Sequence, residues 1–390
     1  MGTRWLSAML LGCSALAFGQ VTGHFYLEKS NFAPGEPVFL YFEATNSWTK
    51  PQYVEQADPY SFCSGYQIYL STDASPTSTC ARGVGGSCLS GVGRLGPGKT
   101  RTERILLNFE RDLKPGDYDV EAGRRLSYAA TDVDYYTAPK DSLEEHSQLH
   151  FQINENATLN PAELQHWLEQ LRSTDPEKRR EAARTLAALG PKPLEETLLT
   201  FADSTEFRQF APLALYRLNT PRSMAALADL LGKTDRGTYE NIQSADYLAE
   251  SGDPQWFPLL IDYARRNASI SNYVSDAAES GGDQAVAALS ELTRSSDVEF
   301  ARVNAVSALG DTGSRSALPI LLEFLKNPDT RIAERALSGL QRLTHRTGGD
   351  GSGVPYLQEQ YRRWLQWWTR EGRSAPVYKA KECGELTPLN

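Results

Sequence analysis

The stretch Asp175-Pro176-Glu177-Lys178-Arg179-Arg180-Glu181-Ala182-Ala183-Arg184-Thr185-Leu186-Ala187-Ala188-Leu189-Gly190 decides how the rest of this chain is read. A polar turn with Asp opens it, small residues and leucines follow at helical spacing, and a glycine closes it. The same phrase recurs as Ala211…Leu215…Leu218-Asn219, Ala245…Leu248…Gly252, Ala277-Ala278…Gly281 and Val303…Val306…Leu309-Gly310. Gly190 and Gly310 are 120 positions apart, which makes four periods of about 30, the size of a helix-pair repeat.

Before each of these helices the sequence predicts another. Leu194…Leu198-Leu199, Met224…Leu227…Leu230-Leu231, Phe257…Leu260-Ile261, Val286…Leu289…Leu292 and Leu318…Leu321-Leu322…Leu325 carry apolar residues at helical spacing. Polar turns join the two, as at Ser295-Ser296-Asp297 and Asn327-Pro328-Asp329. Alanine in the second helices lets neighbours approach closely, and stacked pairs share one continuous core. Residues 175–190 and 297–310 resemble HEAT repeats, of the short bacterial kind labelled PBS-lyase HEAT-like. That resemblance implies an α-solenoid of about six helix pairs over residues 156–346, with the second helices lining a concave face. The exposed candidates for that protein-binding face are Arg180, Arg184, Phe207, Phe210, Tyr239, Tyr247, Tyr273, Phe300 and Arg302. The lyase label belongs to a few members and carries no activity to an array. Lys233–Tyr239 lengthens one unit.

Upstream, over residues 20–155, the period changes to two. Val38–Ala44, Tyr66–Leu70, Arg104–Phe109 and Leu149–Ile153 read as strands, and the turns Ala33–Pro37 and Leu113–Asp117 feed strands of their own. Short strands at this spacing predict a β-sandwich. Pro34-Gly35-Glu36-Pro37-Val38 before a strand, with Leu113-Lys114-Pro115-Gly116-Asp117-Tyr118-Asp119-Val120 later, resembles immunoglobulin-like domains of exported bacterial proteins. The fold expected is therefore an N-terminal immunoglobulin-like sandwich followed by an α-solenoid.

The first 19 residues read as a signal peptide: Arg4, the apolar run Trp5–Leu16, and a small-x-small site at Ala17-Phe18-Gly19. The alternative is a lipoprotein anchored at Cys13 of Leu10-Leu11-Gly12-Cys13. Either way the expectation is an exported chain, periplasmic or secreted, with no membrane-spanning segment once processed. Cys63, Cys80, Cys88 and Cys383 are then disulfide candidates with three possible pairings. Asn156-Ala157-Thr158 and Asn267-Ala268-Ser269 match the glycosylation sequon. A net charge of −9 lacks the basic footprint of a nucleic-acid binder.

Two chemical motifs lose their force in context. Gly93-Arg94-Leu95-Gly96-Pro97-Gly98-Lys99-Thr100 satisfies the phosphate-loop pattern, but a period-two strand follows it where the chemistry needs a helix N-terminus. The apolar run Leu259–Asp262 lies inside a repeat helix. His146 and His150 share one face of a strand, but only Glu144 and Glu145 stand nearby to complete a metal set. Tyr128, Tyr135 and Tyr136 precede the last strand as a candidate contact patch. In residues 347–390 a glycine-rich connection leads to a helix carrying Tyr361, Trp364, Leu365, Trp367 and Trp368, read as the cap on the array's open end. The segment from Ala375 onward shows no periodicity. No catalytic residue and no cofactor is assigned. The chain reads as a non-enzymatic scaffold that binds a protein partner through the concave face of the array, the β-sandwich, or both. Its rivals are an accessory subunit or hydrolase with acids scattered on the array, and a protease-inhibitor-like sandwich.

Overall fold

A computed structural model describes residues 21–56, 65–71, 91–109, 111–137, 140–233, 238–266, 272–347, 351–380 and 386–389. The expected signal peptide, all four disulfide candidates (Cys63, Cys80, Cys88, Cys383) and the sequon at Asn267 lie outside these residues.

The N-terminal half is two sheets around one core. The smaller is antiparallel, with β1 (Val21–Leu27), β3 (Phe39–Asn46) and β7 (Thr100–Leu106) in the order β1-β3-β7. The larger orders β2 (Asn31–Phe32), β9 (Asp141–Ile153), β8 (Gly116–Ala129), β4 (Gln52–Gln56) and β6 (Gly91–Leu95), with β5 (Tyr66–Leu70) also on β8. Phe25, Leu40 and Phe42 from the first sheet meet Val54, Val120 and Phe151 from the second. Alternation along β8 sends Tyr118, Val120 and Ala122 inward and Asp117, Asp119 and Glu121 to solvent. A pair of opposite charges is buried here. The Arg124 guanidinium lies 4.5 Å from the Tyr66 ring and 3.9 Å from the Glu103 carboxylate, which also accepts the Tyr66 hydroxyl. The short helix α1 (Asp132–Thr137) turns β8 into β9 and carries Tyr135 and Tyr136, while Tyr128 is buried on β8.

The phosphate-loop pattern resolves as a turn. Lys99 N–H donates to the Gly96 carbonyl at 3.1 Å, Gly98 takes φ +63°, and the chain passes from β6 in one sheet to β7 in the other. Lys99 thus ends the turn and Thr100 opens β7. His150 faces outward, its Nδ1 2.9 Å from Asp119 Oδ1. His146 is exposed over Gly123. Among the described residues no three metal-ligating side chains cluster.

Strand β3 departs from simple alternation. Leu40 and Phe42 face the sandwich core, yet Phe39 and Tyr41, on the opposite face, are only 8% and 7% exposed. A strand buried on both sides needs a second layer. That layer is the helical half.

Among the described residues six helix pairs follow, in outer-then-inner order. They are α2 (Pro161–Leu171) with α3 (Pro176–Leu189), α4 (Glu195–Leu199) with α5 (Ala211–Leu218), and α6 (Pro221–Lys233) with α7 (Tyr239–Glu250). Next, α8 (Phe257–Arg266) pairs with the first half of α9 (Asn272–Ser295), and its second half with α10 (Glu299–Leu309). Gly282, at φ 49° and ψ −127°, breaks α9 into these two halves. The last pair is α11 (Ala317–Phe324) with α12 (Thr330–Thr344). Inner helices stack in series, α3 on α5, α5 on α7, α7 on α9, α9 on α10 and α10 on α12. Their alanines sit at the contacts: Ala182, Ala214, Ala245, Ala305 and Ala336 are fully buried.

Local chemistry fixes the helix ends. Asn160 and Asp175 accept from Ala162 N–H (3.1 Å) and Glu177 N–H (2.9 Å), each with a proline in the first turn. Three arginines repeat one strut, each donating to a carbonyl six residues back: Arg179 to Ser173 (2.9 Å), Arg208 to Ala202 (3.2 Å) and Arg302 to Ser296 (2.8 Å). They tie α3, the turn leading into α5, and α10 to the chain just before them.

Helix α13 (Gly353–Trp367) closes the array. Trp364 and Trp367 are buried edge to face at 5.3 Å, in one core with α11 and α12. Within the aperiodic tail β10 (Val377–Ala380) pairs antiparallel with β11 (Leu386–Leu389), and Val377 is buried in the array core. Apolar burial tethers it there.

Candidate interaction surface

The surface of the array divides at its second helix pair. On the first two pairs the sandwich itself is seated. Trp167 of α2 packs 5.9 Å from Phe39, and both join Tyr41, Leu106, Ala183, Leu186, Phe210 and Ala214 in a core that crosses between the halves. Arg104 of β7 lies 4.4 Å over the Phe39 ring and 5.9 Å from Trp167, and its Nε donates to Glu181 on α3 at 2.8 Å. Arg184 stands 5.8 Å over both Phe109 and Phe210, and Arg217 of α5 reaches Asp112 at 3.4 Å. The segment between β7 and β8 is therefore the immediate occupant of this part of the array.

Beside this seam a cleft of about 300 Å³ opens between the segment joining β1 to β3, strands β3 and β7, and α2, lined in part by Glu28, Tyr41, Glu163, His166 and Trp167. Two of its acids are held within the sandwich. Tyr41 donates to Glu28 at 2.6 Å, and burial, then this hydrogen bond, push the Tyr41 hydroxyl up to about 12. Glu36 takes Ala33 N–H at 2.9 Å and the Lys29 ammonium. Glu163 is different: burial, then the nearby Glu36 carboxylate, raise its pKa above the ordinary glutamate range.

The candidates read from the sequence fall on both sides of this division. Phe210 is 5% exposed in the seam core, Arg184 is half-buried beneath the sandwich, and Phe207 packs on Phe201 at 5.3 Å. Arg180 is exposed, 3.3 Å from Glu177. Arg302 spends its guanidinium on the Ser296 strut. Tyr247 stacks on Tyr216 at 4.7 Å and 12°, and burial pushes its hydroxyl pKa up. Tyr239 and Phe300 remain on the surface, 48% and 64% exposed in the first turns of α7 and α10. The Tyr273 side chain lies outside the described ones. Sequence reading missed Trp167, Arg104, Glu181, Asp112 and Arg217. The one available signal was β3, whose unbroken run Val38-Phe39-Leu40-Tyr41-Phe42 has no polar face.

The family model described as HEAT repeats matches residues 164–245 and 270–341, which run from α2 to α7 and from α9 to α12. The helical half is thus a HEAT-like solenoid following a β-sheet domain. None of the curated proteins compared with the chain matches it. Among solved structures it is similar to the native conformation of E. coli alpha-2-macroglobulin at 12% identity and a TM-score of 0.19. The likeness covers 95% of this chain and 28% of that one, so the chain spans about a quarter of that structure's length, and it carries no argument about fold or function. Among the described residues no helix is long and apolar enough to cross a membrane.

Proposed function

We propose that this chain is a non-enzymatic protein-interaction scaffold whose partner is held on the inner helices of the third to sixth pairs. The observation that carries this reading is the exposure of Phe300 and Tyr239 on an array whose other large apolar side chains are mostly packed away. The HEAT-repeat match supports it, since stacked helix pairs present extended surfaces of this kind. The immunoglobulin-like sandwich, clamped to the first two pairs, sets the orientation of that surface. The chain works outside the cytoplasm, on the strength of Arg4, the apolar run after it and the cysteine content.

Affinity capture from the cell envelope, run in parallel with wild-type protein and a Tyr239→Ser/Phe300→Ser variant, tests the reading. Proteins retained by the wild type and lost by the variant are expected. Identical captured sets would overturn it.

A further inference from the structure

The cleft beside the seam has a neighbour. A second cavity of about 310 Å³ adjoins it, and Lys29, Phe32, Glu36 and Glu163 line both. The segment between β1 and β3 supplies the first three of these and the first turn of α2 supplies the fourth. A carboxylate from each half of the molecule therefore faces the same space.

The charges across that space are unequally matched. On the sandwich side Glu36 is buried and already holds the Lys29 ammonium and the Ala33 N–H. Arg104, the other cation on that wall, donates its Nε–H to Glu181 of α3. Glu28, exposed at the edge of the cleft, accepts the Tyr41 hydroxyl. On α2, His166 lies one turn beyond Glu163, exposed, with its ring 5.3 Å from that of Trp167. Glu163 is part-buried and joins no hydrogen bond or ion pair among the described residues. When ionised it is a partly desolvated carboxylate facing a second carboxylate whose cation is already taken. Desolvation and like charge both oppose that state, and protonation removes both penalties.

We propose that Glu163 makes the joint between sandwich and array an acid-tightened clasp: protonated, it lets α2 rest against the Lys29–Glu36 pair, and ionised, it is repelled by Glu36 and loosens α2. Helix α2 is the element free to respond, since it begins the array and is held to the sandwich through Trp167 on Phe39. The direction follows from what surrounds the carboxyl. Burial raises its pKa most, Glu36 comes next and Glu28 adds least, while Lys29 and His166 oppose them. A group with a raised folded value stabilises the fold below its unfolded value, and that contribution is lost as pH rises through the folded one. A proton on His166 also adds positive charge beside Glu28 and Glu36, so the two residues of α2 need separate variants.

The test is amide hydrogen exchange on the full-length protein, read by mass spectrometry on peptides from α2 and corrected for the intrinsic pH dependence of exchange, from about pH 4.5 to about pH 7.5. Across that range the α2 amides of the wild type are expected to lose protection at least threefold, while those of α12, at the far end of the array, keep theirs. Glu163→Gln, which keeps the shape of the side chain and never ionises, is expected to hold the acid level of α2 protection throughout. His166→Gln is expected to follow the wild type. Protection of α2 that stays flat in the wild type, or that falls equally in Glu163→Gln, overturns the proposal. So does a fall that His166→Gln abolishes, because the proton then belongs to the imidazole. The outcome is independent of whether Tyr239 and Phe300 hold a partner.

Discussion

The inner helices of the first two pairs and those of the third and fifth are built on one plan and meet different fates. On α3 and α5, Glu181, Arg184 and Arg217 are engaged by Arg104, Phe109 and Asp112 of the sandwich. On α7 and α10, Tyr239 and Phe300 lie in the open. The covered region shows what this kind of surface accepts: an aromatic ring beneath a guanidinium, flanked by ion pairs. The sandwich covers the array's first third, and Tyr239 and Phe300 lie beyond it.

The largest effect expected from breaking this contrast is at Trp167. Truncation to Ala removes the ring that joins Phe39 to the helical half, and should cost about 3–5 kcal/mol, as for other buried tryptophans. Chemical denaturation followed by a sandwich probe and an array probe is expected to show two separated transitions in the variant where the wild type shows coincident ones. Coincident transitions in the variant would mean the halves are coupled elsewhere.

Glu181→Gln cuts the charge-assisted link to Arg104. Both side chains are about a third exposed, so solvent screening limits the loss to about 1 kcal/mol. Urea midpoints should fall slightly for Glu181→Gln. They should stay within error for Glu334→Gln, a carboxylate exposed on the open side.

Glu163 gives the joint an inverted response to acid. Its folded pKa is raised by burial first and by Glu36 second, so the folded chain holds this proton more tightly than the unfolded chain. Its contribution to stability is fully present below the unfolded glutamate value and is lost as pH rises through the folded one. Glu163→Gln is therefore expected to stabilise the protein near neutrality and to flatten the pH dependence of the urea midpoint in the weakly acid range. A variant whose pH profile overlays the wild type would remove Glu163 from this role.

The smallest stability effect is expected at Phe300. Because its ring is exposed, Phe300→Ser should shift stability by less than about 0.5 kcal/mol. Thermal melts of variant and wild type should then overlay while partner capture is lost. A large destabilisation would place the ring in the core and close the contrast between the two regions.

The repeated helices were legible because each is specified by residues close together in sequence. Asp175 and Pro176 start α3, Gly190 ends it, and the leucines between them keep one face. Yet similar marks conceal different causes. Gly190 sits at φ +53° in a left-handed cap, and a Cβ there would also lie 2.5 Å from Arg217 Cβ. Gly310 has ordinary helical dihedrals; its constraint is the next repeat, whose Gly339 Cα a Cβ would meet at 2.4 Å. The strut made by Arg302 was equally hidden, since an arginine in a helix looks the same in sequence whether it meets a partner or its own preceding turn.

By itself, then, the sequence settled the class of each half, because helix period, strand period and helix ends are local properties of the chain. It also marked which residues were aromatic or charged enough to matter. Whether Phe210 is core and Phe300 surface was decided only by tertiary structure. The sandwich lands on α2, α3 and α5 through contacts between residues far apart in sequence, such as Arg104 and Glu181. Burial depends on what lies across a contact, and no single helix or strand encodes its neighbour.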